Sequence, residues 1–169
     1  NYLVKMGAKI EGIGTSILKI TGVEKLNAAE HTVIPDRIEA GTLLIAGAIT
    51  GGAVTVTKCI PQQLDALVSK MKESGFKIET GKDFITVKKC VEWKGVDIQT
   101  SPYPGFATDL QAQFMALMTV ASGTSIISEN IFENRFMHVQ ELVRMNADIT
   151  SRTQVAIVRG QRGRLTGAP

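Results

Sequence analysis

Two aspartates stand at matching positions in the chain and are the first candidates for proton chemistry. Asp36 and Asp109 each precede an apolar stretch with the composition of a helix. A carboxylate placed there can accept hydrogen bonds from the free N–H groups of the first helical turn, so a structural N-cap is one interpretation. In the alternative, both helix starts face one cleft, where their N–H groups receive an anionic substrate and a carboxylate transfers a proton. The two interpretations are compatible, and the residues leave both open.

A second group of chemically capable side chains lies in residues 130–138, which read Asn-Ile-Phe-Glu-Asn-Arg-Phe-Met-His. Acidic, basic, amide and aromatic groups crowd into a predicted turn between a strand and a helix, where functional residues concentrate. A structural interpretation is equally open. In it Asn134 caps the helix, the two phenylalanines pack, and Arg135 pairs with Glu133.

The histidines and cysteines do not form a metal-binding or nucleophile pattern. His31 and His138 lack a companion ligand at helical spacing, and Cys59 and Cys90 match no metal or redox spacing. Neither cysteine has a nearby histidine or helix N-terminus that would favour the thiolate, so unreactive thiols are expected. The sequence therefore predicts no metal site and no cofactor.

The overall composition excludes several classes of protein. The chain has 169 residues, of which 44% are hydrophobic and 21% charged, as in ordinary globular proteins. A net charge of +3 suits an anionic small ligand but is small for a dedicated nucleic-acid binder. Apolar stretches such as residues 43–49 are too short to span a membrane. Since the chain begins at Asn1 in an apparent helix end, a piece of a longer protein is expected.

An internal repeat supplies the elements that must position these side chains. Three segments share an amphipathic helix end, then a residue suited to a left-handed C-cap, then two short strands. The C-cap residues are Gly7, Gly75 and Asn146. Their separation of about seventy residues is typical of a repeated structural unit.

The upstream halves of the repeat also correspond. Residues 35–49 and 107–121 predict apolar helices, each followed by a strand, and residues 30–34 and 96–99 predict a leading strand for each unit. The predicted unit is thus β-α-β-α-β-β, and the fold class is α/β. Residues 1–34 would be the tail of one unit, followed by whole units at 35–100 and 101–165.

Three motifs in this order resemble the bacterial UDP-N-acetylglucosamine 1-carboxyvinyltransferase family of enolpyruvyl transferases. They read P-D-R-I-E-A-G-T from Pro35, A-T-D-L-Q-A-Q-F from Ala107 and E-N-I-F-E-N-R-F-M-H from Glu129. The resemblance covers essentially the whole chain. It implies an inside-out α/β barrel of two domains, each with three units, around a substrate cleft. Residues 1–34 would then be the tail of the first, catalytic-loop domain, and residues 35–169 would hold two of the second domain's three units.

The resemblance also implies an activity. The enolpyruvyl group of phosphoenolpyruvate would be transferred to the 3′-hydroxyl of UDP-N-acetylglucosamine, with release of phosphate, through a tetrahedral intermediate. This is the first committed step of peptidoglycan synthesis, in the bacterial cytoplasm, and it uses no cofactor. The implied partners are the two substrates and the remaining parts of the two-domain enzyme, with no nucleic acid and no membrane.

Residue roles are implied where the motifs coincide. Asp109 would bind the sugar hydroxyl and act as its general base, and Ile131 would contact UDP-N-acetylglucosamine. Asp36 and Arg135 match motif residues that face the cleft. The family's catalytic cysteine loop is not among these residues, and neither Cys59 nor Cys90 matches it. Because catalysis needs its stabilising groups in place before reaction, we expect this chain alone to be inactive.

A different class of function stays open beside the enzyme. The units could form a non-catalytic α/β module that binds a nucleotide-sugar or RNA. Four arginines near the end of the chain favour RNA, at positions 152, 159, 162 and 164. No aromatic-rich strand motif accompanies them, although stacking on aromatic side chains is the usual means of holding single-stranded bases.

Overall fold

The computed structural model describes residues 1–15, 17–163 and 165–168. Arg164, one of the four arginines noted above, and Pro169 lie outside the described residues. The chain divides into two compact units, Asn1–Ile34 and Pro35–Pro169. The assignment of these stretches to the two domains of a longer enzyme stays a prediction.

The described residues of the first unit form one short helix and one antiparallel pair of strands. These are α1 (Tyr2–Lys5), β1 (Lys9–Glu11) and β2 (Lys19–Thr21), with Ile10 opposite Ile20. Helix α1 buries no residue, and all of β2 is exposed. Elements this short offer little surface against which an apolar face could be buried.

The strand predicted at residues 30–34 is wrong, because the chain has no regular secondary structure there. A strand forms only when its N–H and C=O groups find a neighbouring strand. None of the described strands pairs with this segment. The corresponding strand of the next repeat does form, as Ile98–Gln99, and is shorter than the predicted 96–99.

The second unit contains the remaining helices and strands. The first repeat supplies α2 (Arg37–Ile49), β3 (Val54–Thr57), α3 (Asp65–Ser74), β4 (Ile78–Thr80) and β5 (Phe84–Val87). The second supplies β6 (Ile98–Gln99), α4 (Gln111–Thr119), β7 (Gly123–Ser128), α5 (Met137–Arg144), β8 (Asp148–Arg152) and β9 (Val155–Gly160). Short 3₁₀ turns at Pro61–Leu64 and Thr108–Leu110 precede α3 and α4. Across the described residues, every helix is too short or too polar to cross a membrane.

Sheet topology confirms the repeat. One sheet has the order β3-β5-β4 and the other the order β6-β7-β9-β8, so equivalent strands occupy equivalent places. The leading strand β6 is parallel to β7, whereas the other pairs are antiparallel. The left-handed conformation predicted at the three helix ends is also confirmed: φ is 100° at Gly7, 117° at Gly75 and 73° at Asn146. Gly75 is itself the C-cap, whereas Gly7 and Asn146 each follow a methionine at the C-cap position. Glycine adopts this conformation without a Cβ clash, and asparagine is the side chain that tolerates it best.

Helices α2 and α4 pack against each other in the core of the second unit. Gln113 Nε2 donates a hydrogen bond to Thr42 Oγ1 at 3.0 Å. A Cβ at Gly41 would lie 2.9 Å from the Leu110 side chain, so glycine permits this close approach. Leu44 and Phe114, one from each helix, are fully buried. The packing of α2 against α4 therefore fixes the chain at the starts of both helices, near Asp36 and Asp109.

Candidate functional site

Asp109 lies inside the 3₁₀ turn Thr108–Leu110, and the residue that begins α4 as its N-cap is Leu110. The N-cap interpretation is therefore wrong for this aspartate. Because this 3₁₀ turn precedes α4, Asp109 lies one residue before the cap position. Its Oδ1 instead accepts a hydrogen bond from an Arg135 guanidinium nitrogen at 2.5 Å.

Asp36 does cap its helix, as predicted. Its Oδ1 accepts hydrogen bonds from the backbone N–H groups of Ile38, at 2.7 Å, and Glu39, at 3.4 Å. Asp36 also lines a cavity of about 250 Å³ that includes Lys58 and Cys59. Within the described residues, no hydrogen bond or ion pair joins Asp36 to Asp109 or Arg135. The structure thus pairs two of the predicted site residues and leaves Asp36 at a separate helix start.

Replacing Asp36 with alanine is expected to lower the free energy of unfolding by about 1 kcal/mol, since two N–H groups lose their acceptor. Urea denaturation measures this change. Asp36→Asn is the matched control, because asparagine removes the charge but caps equally well. If both variants lose the same stability, the charge rather than the hydrogen bonds is responsible.

Arg135 makes two contacts that orient its guanidinium group. Besides the Asp109 carboxylate, it lies over the ring of Phe132, with 5.0 Å from the guanidinium carbon to the ring centroid. A cation over an aromatic face is attracted by the negative charge of the ring surface. The predicted Arg135–Glu133 pair does not form, because Arg135 reaches back to the turn before α4.

A further structural prediction for this loop is wrong, and another holds only in part. Asn134 is not the N-cap of α5: the cap position belongs to Phe136, and Asn134 adopts a left-handed φ of 55°. Asn134 thus lies in the turn two residues before the cap position. Phe136 packs against the core, whereas Phe132 is 51% exposed and lies beneath Arg135.

Glu129 is the residue that sequence reasoning missed. It lies at the end of β7, and only 1% of its surface is exposed. Its Oε1 accepts hydrogen bonds from Thr100 Oγ1 at 2.8 Å and from the N–H groups of Ile131 and Phe132 at 2.9 and 3.2 Å. Its Oε2 accepts one from Thr108 Oγ1 at 2.8 Å. All four donors point at one buried carboxylate.

These contacts decide the charge state of Glu129. Burial by itself raises the pKa of its carboxyl, but the hydrogen bonds from the two threonines and two backbone N–H groups outweigh burial and lower the pKa. Glu129 is therefore ionised at neutral pH. Local sequence signals this role only weakly, because Thr108 and Thr100 lie 21 and 29 positions away in the chain.

Ile131 is part of the same loop and is half-buried. Its N–H group donates to Glu129, and Phe132, which underlies Arg135, is its neighbour. The structure therefore brings the backbone at Ile131, the Arg135 guanidinium and the Asp109 carboxylate into one connected arrangement. The predicted contact between Ile131 and a nucleotide-sugar stays a prediction.

Among the described residues, no group of three or more histidine, cysteine, aspartate or glutamate side chains could hold a metal ion. His31 lies against the Tyr2 ring at a centroid distance of 5.3 Å. Cys59 and Cys90 are free thiols. Burial, and to a lesser degree the charge of Asp83, raises the pKa of the Cys59 thiol, which disfavours the nucleophilic thiolate.

His138 is expected to make stability depend on pH. Burial first, and the charge of Arg135 second, lower the pKa of its imidazole. As pH falls through about 6.5, the unfolded chain takes up a proton that the folded state resists, so the free energy of unfolding should decrease. His138→Gln should flatten this dependence between about pH 7 and 5.5, as measured by urea denaturation. The control is His31→Gln, which removes the exposed histidine; equal slopes in wild type and His138→Gln would contradict the prediction.

Comparison with known proteins defines the class. The model of the EPSP synthase (3-phosphoshikimate 1-carboxyvinyltransferase) family matches residues 1–169. The chain therefore belongs to this family of carboxyvinyl (enolpyruvyl) transferases. The crystal structure of the enolpyruvyl transferase NikO from Streptomyces tendae is similar, with a TM-score of 0.81 at 23% identity, over 93% of this chain and 38% of that one. EPSP synthase from Acinetobacter baumannii gives a TM-score of 0.60 at 16% identity, over 98% and 38%. The predicted fold class, α/β repeats of the enolpyruvyl transferase type, is confirmed.

Sequence relatives are more particular. UDP-N-acetylglucosamine 1-carboxyvinyltransferase of Bdellovibrio bacteriovorus is 68% identical over 168 residues, which are 99% of this chain and 41% of the relative. The protein of the same name from Koribacter versatilis is 60% identical over 161 residues, 95% of this chain and 37% of the relative. The resemblance stated from the motifs is thus confirmed. The chain spans about two fifths of the length of these relatives.

Proposed function

We propose that the intact polypeptide carrying these residues transfers the enolpyruvyl group of phosphoenolpyruvate to the 3′-hydroxyl of UDP-N-acetylglucosamine, releasing phosphate. The observation that carries this proposal is the 68% identity to a relative of that name. The family description names a different acceptor, 3-phosphoshikimate, but the structure of a protein named EPSP synthase is only 16% identical. The higher identity, to the relative named UDP-N-acetylglucosamine 1-carboxyvinyltransferase, favours the nucleotide-sugar as the acceptor.

Asp109 is proposed as the general base. It holds a carboxylate that is 53% exposed, and its Oδ1 is fixed by Arg135. Among the described residues Oδ2 has no hydrogen-bond partner, so it is free to accept a proton from a substrate hydroxyl. Because a general base must lie within hydrogen-bond reach of the proton it removes, a fixed, accessible carboxylate is well suited to this role.

The proposed reaction is an addition followed by an elimination. The 3′-oxygen bonds to C2 of phosphoenolpyruvate as Asp109 takes the hydroxyl proton, and C3 gains a proton to give a tetrahedral intermediate. Loss of phosphate from C2 and of a proton from C3 restores the double bond. Arg135 orients the Asp109 carboxylate, and the loop at Ile131 contacts UDP-N-acetylglucosamine. Asp36 caps α2 at the edge of the proposed cleft.

The other parts of the enzyme are proposed to lie outside these residues. The family's cysteine loop and most of its phosphoenolpyruvate-binding groups have no counterpart in the chain, so the 169 residues alone are expected to show no turnover. The reaction would take place in the bacterial cytoplasm and serve peptidoglycan synthesis. Its proposed partners are the two substrates and the remainder of the two-domain enzyme.

The test is release of inorganic phosphate by the intact polypeptide. Release is expected only when phosphoenolpyruvate and UDP-N-acetylglucosamine are both present, with the enolpyruvyl product identified by mass spectrometry. Shikimate 3-phosphate is the matched control for the acceptor. Turnover with shikimate 3-phosphate but not with UDP-N-acetylglucosamine would overturn the choice of substrate. If the intact polypeptide binds the nucleotide-sugar without turnover, the non-catalytic module is favoured.

A further inference from the structure

We infer that Glu129 is a positioning residue: it holds the two segments that carry Asp109 and Arg135 so that these side chains can pair. This inference rests on the role proposed for Asp109. The two carboxylate oxygens of Glu129 bind the two segments that carry this pair. Oε2 holds Thr108, which immediately precedes Asp109, and Oε1 holds the N–H groups of Ile131 and Phe132. Through one buried group, the turn before α4 is tied to the loop after β7.

The ion pair needs such a support. Asp109 and Arg135 are 53% and 36% exposed, and an exposed ion pair is too weak to hold two segments of chain against solvent. Their contact spans 26 positions of sequence, so local geometry does not create it. A rigid element must therefore bring the two segments together, and the Glu129 carboxylate is the buried polar group found between them.

Glu129 has the properties of that rigid element. An ionised carboxylate is buried only when several donors compensate for the water it loses, and four donors do so here. A third attachment links it to Thr100, after β6, and Thr100 Oγ1 in turn accepts a hydrogen bond from Asn130 N–H at 2.9 Å. Glu129 is thus anchored to the parallel strand pair β6–β7, and both segments are positioned relative to the sheet.

Variants of Thr108 test whether Glu129 positions the Asp109–Arg135 pair or only stabilises the fold. Thr108→Val keeps the shape of the side chain and deletes only the hydrogen bond to Oε2. Thr100→Val is the control: it deletes a hydrogen bond to the same carboxylate on the sheet side, away from Asp109, and also the bond that Thr100 Oγ1 accepts from Asn130 N–H. Thr108→Ser is the rescue variant, because serine restores a hydroxyl that can donate to Glu129.

Steady-state kinetics of phosphate release by the intact polypeptide test the inference. For Thr108→Val we expect kcat to fall about 10- to 100-fold, the scale of loss that follows a displacement of about 1 Å in a catalytic group. KM for phosphoenolpyruvate should be unchanged. Thr108→Ser should recover most of the lost kcat, and Thr100→Val should lose much less, although both valine variants lower the melting temperature.

Two results would overturn the inference. One is a Thr108→Val enzyme with wild-type kcat, and the other is an equal kcat loss in the two valine variants at equal stability. Hydrogen–deuterium exchange gives a readout that does not depend on the reaction. Thr108→Val should speed exchange in residues 107–110 more than Thr100→Val does. If the wild-type polypeptide fails to release phosphate, the proposed function fails, and exchange still decides whether Glu129 holds these segments.

Discussion

An intact polypeptide carrying Asp109→Asn is expected to release phosphate about 10²- to 10⁴-fold more slowly than the wild type, the scale on which a general base contributes. Asparagine has the shape of aspartate, and its amide oxygen can still accept the hydrogen bond from Arg135. It cannot take the proton of the sugar hydroxyl. The loss should therefore appear in kcat, measured at saturating phosphoenolpyruvate and UDP-N-acetylglucosamine.

The control for this variant is Asp83→Asn, which makes the same change of charge in the exposed turn between β4 and β5. It should leave kcat within about twofold of the wild type, because among the described residues no hydrogen bond or ion pair joins Asp83 to Asp109 or Arg135, and exposed charges are screened by solvent and salt. If Asp109→Asn retained wild-type kcat, Asp109 would not be the base. A raised KM for UDP-N-acetylglucosamine with unchanged kcat would reduce its role to binding.

Phe114→Ala is expected to lower the free energy of unfolding of the second unit by about 3–5 kcal/mol. The Phe114 side chain is fully buried in α4. Its ring packs edge-on against Phe106, with centroids 5.3 Å apart and planes at 75°. Truncation removes the transfer free energy of the ring and leaves a cavity between the helix and its surroundings. Urea denaturation of the intact polypeptide measures the change.

Met137→Ala is the corresponding control, because it also shortens a large apolar side chain on a helix. Met137 is 81% exposed, so its truncation leaves no cavity, and stability should change by less than about 0.5 kcal/mol. A loss below about 1 kcal/mol for Phe114→Ala would mean that the core around α4 closes over the gap. Equal losses in both variants would show that burial does not govern the effect.

The repeat and its caps could be predicted because their signals are local. Gly7, Gly75 and Asn146 end helices in the left-handed conformation, and Asp36 caps α2, because each depends on a few adjacent residues. The strand at residues 30–34 could not be judged in this way. Its β-branched residues favour a strand, but a strand also needs a partner, and none of the described strands provides one.

In the candidate site, too, the local features could be predicted and the long-range contacts could not. Residue type and spacing are enough to place four site residues in the motifs of one family: Asp36, Asp109, Ile131 and Arg135. The pairing of Asp109 with Arg135, and the link that Glu129 makes between the segments carrying them, depend on the folded chain. The Asp109–Arg135 and Thr108–Glu129 contacts join residues 26 and 21 positions apart. They exist because packing of α2 against α4 and pairing of β6 with β7 fix where each segment lies.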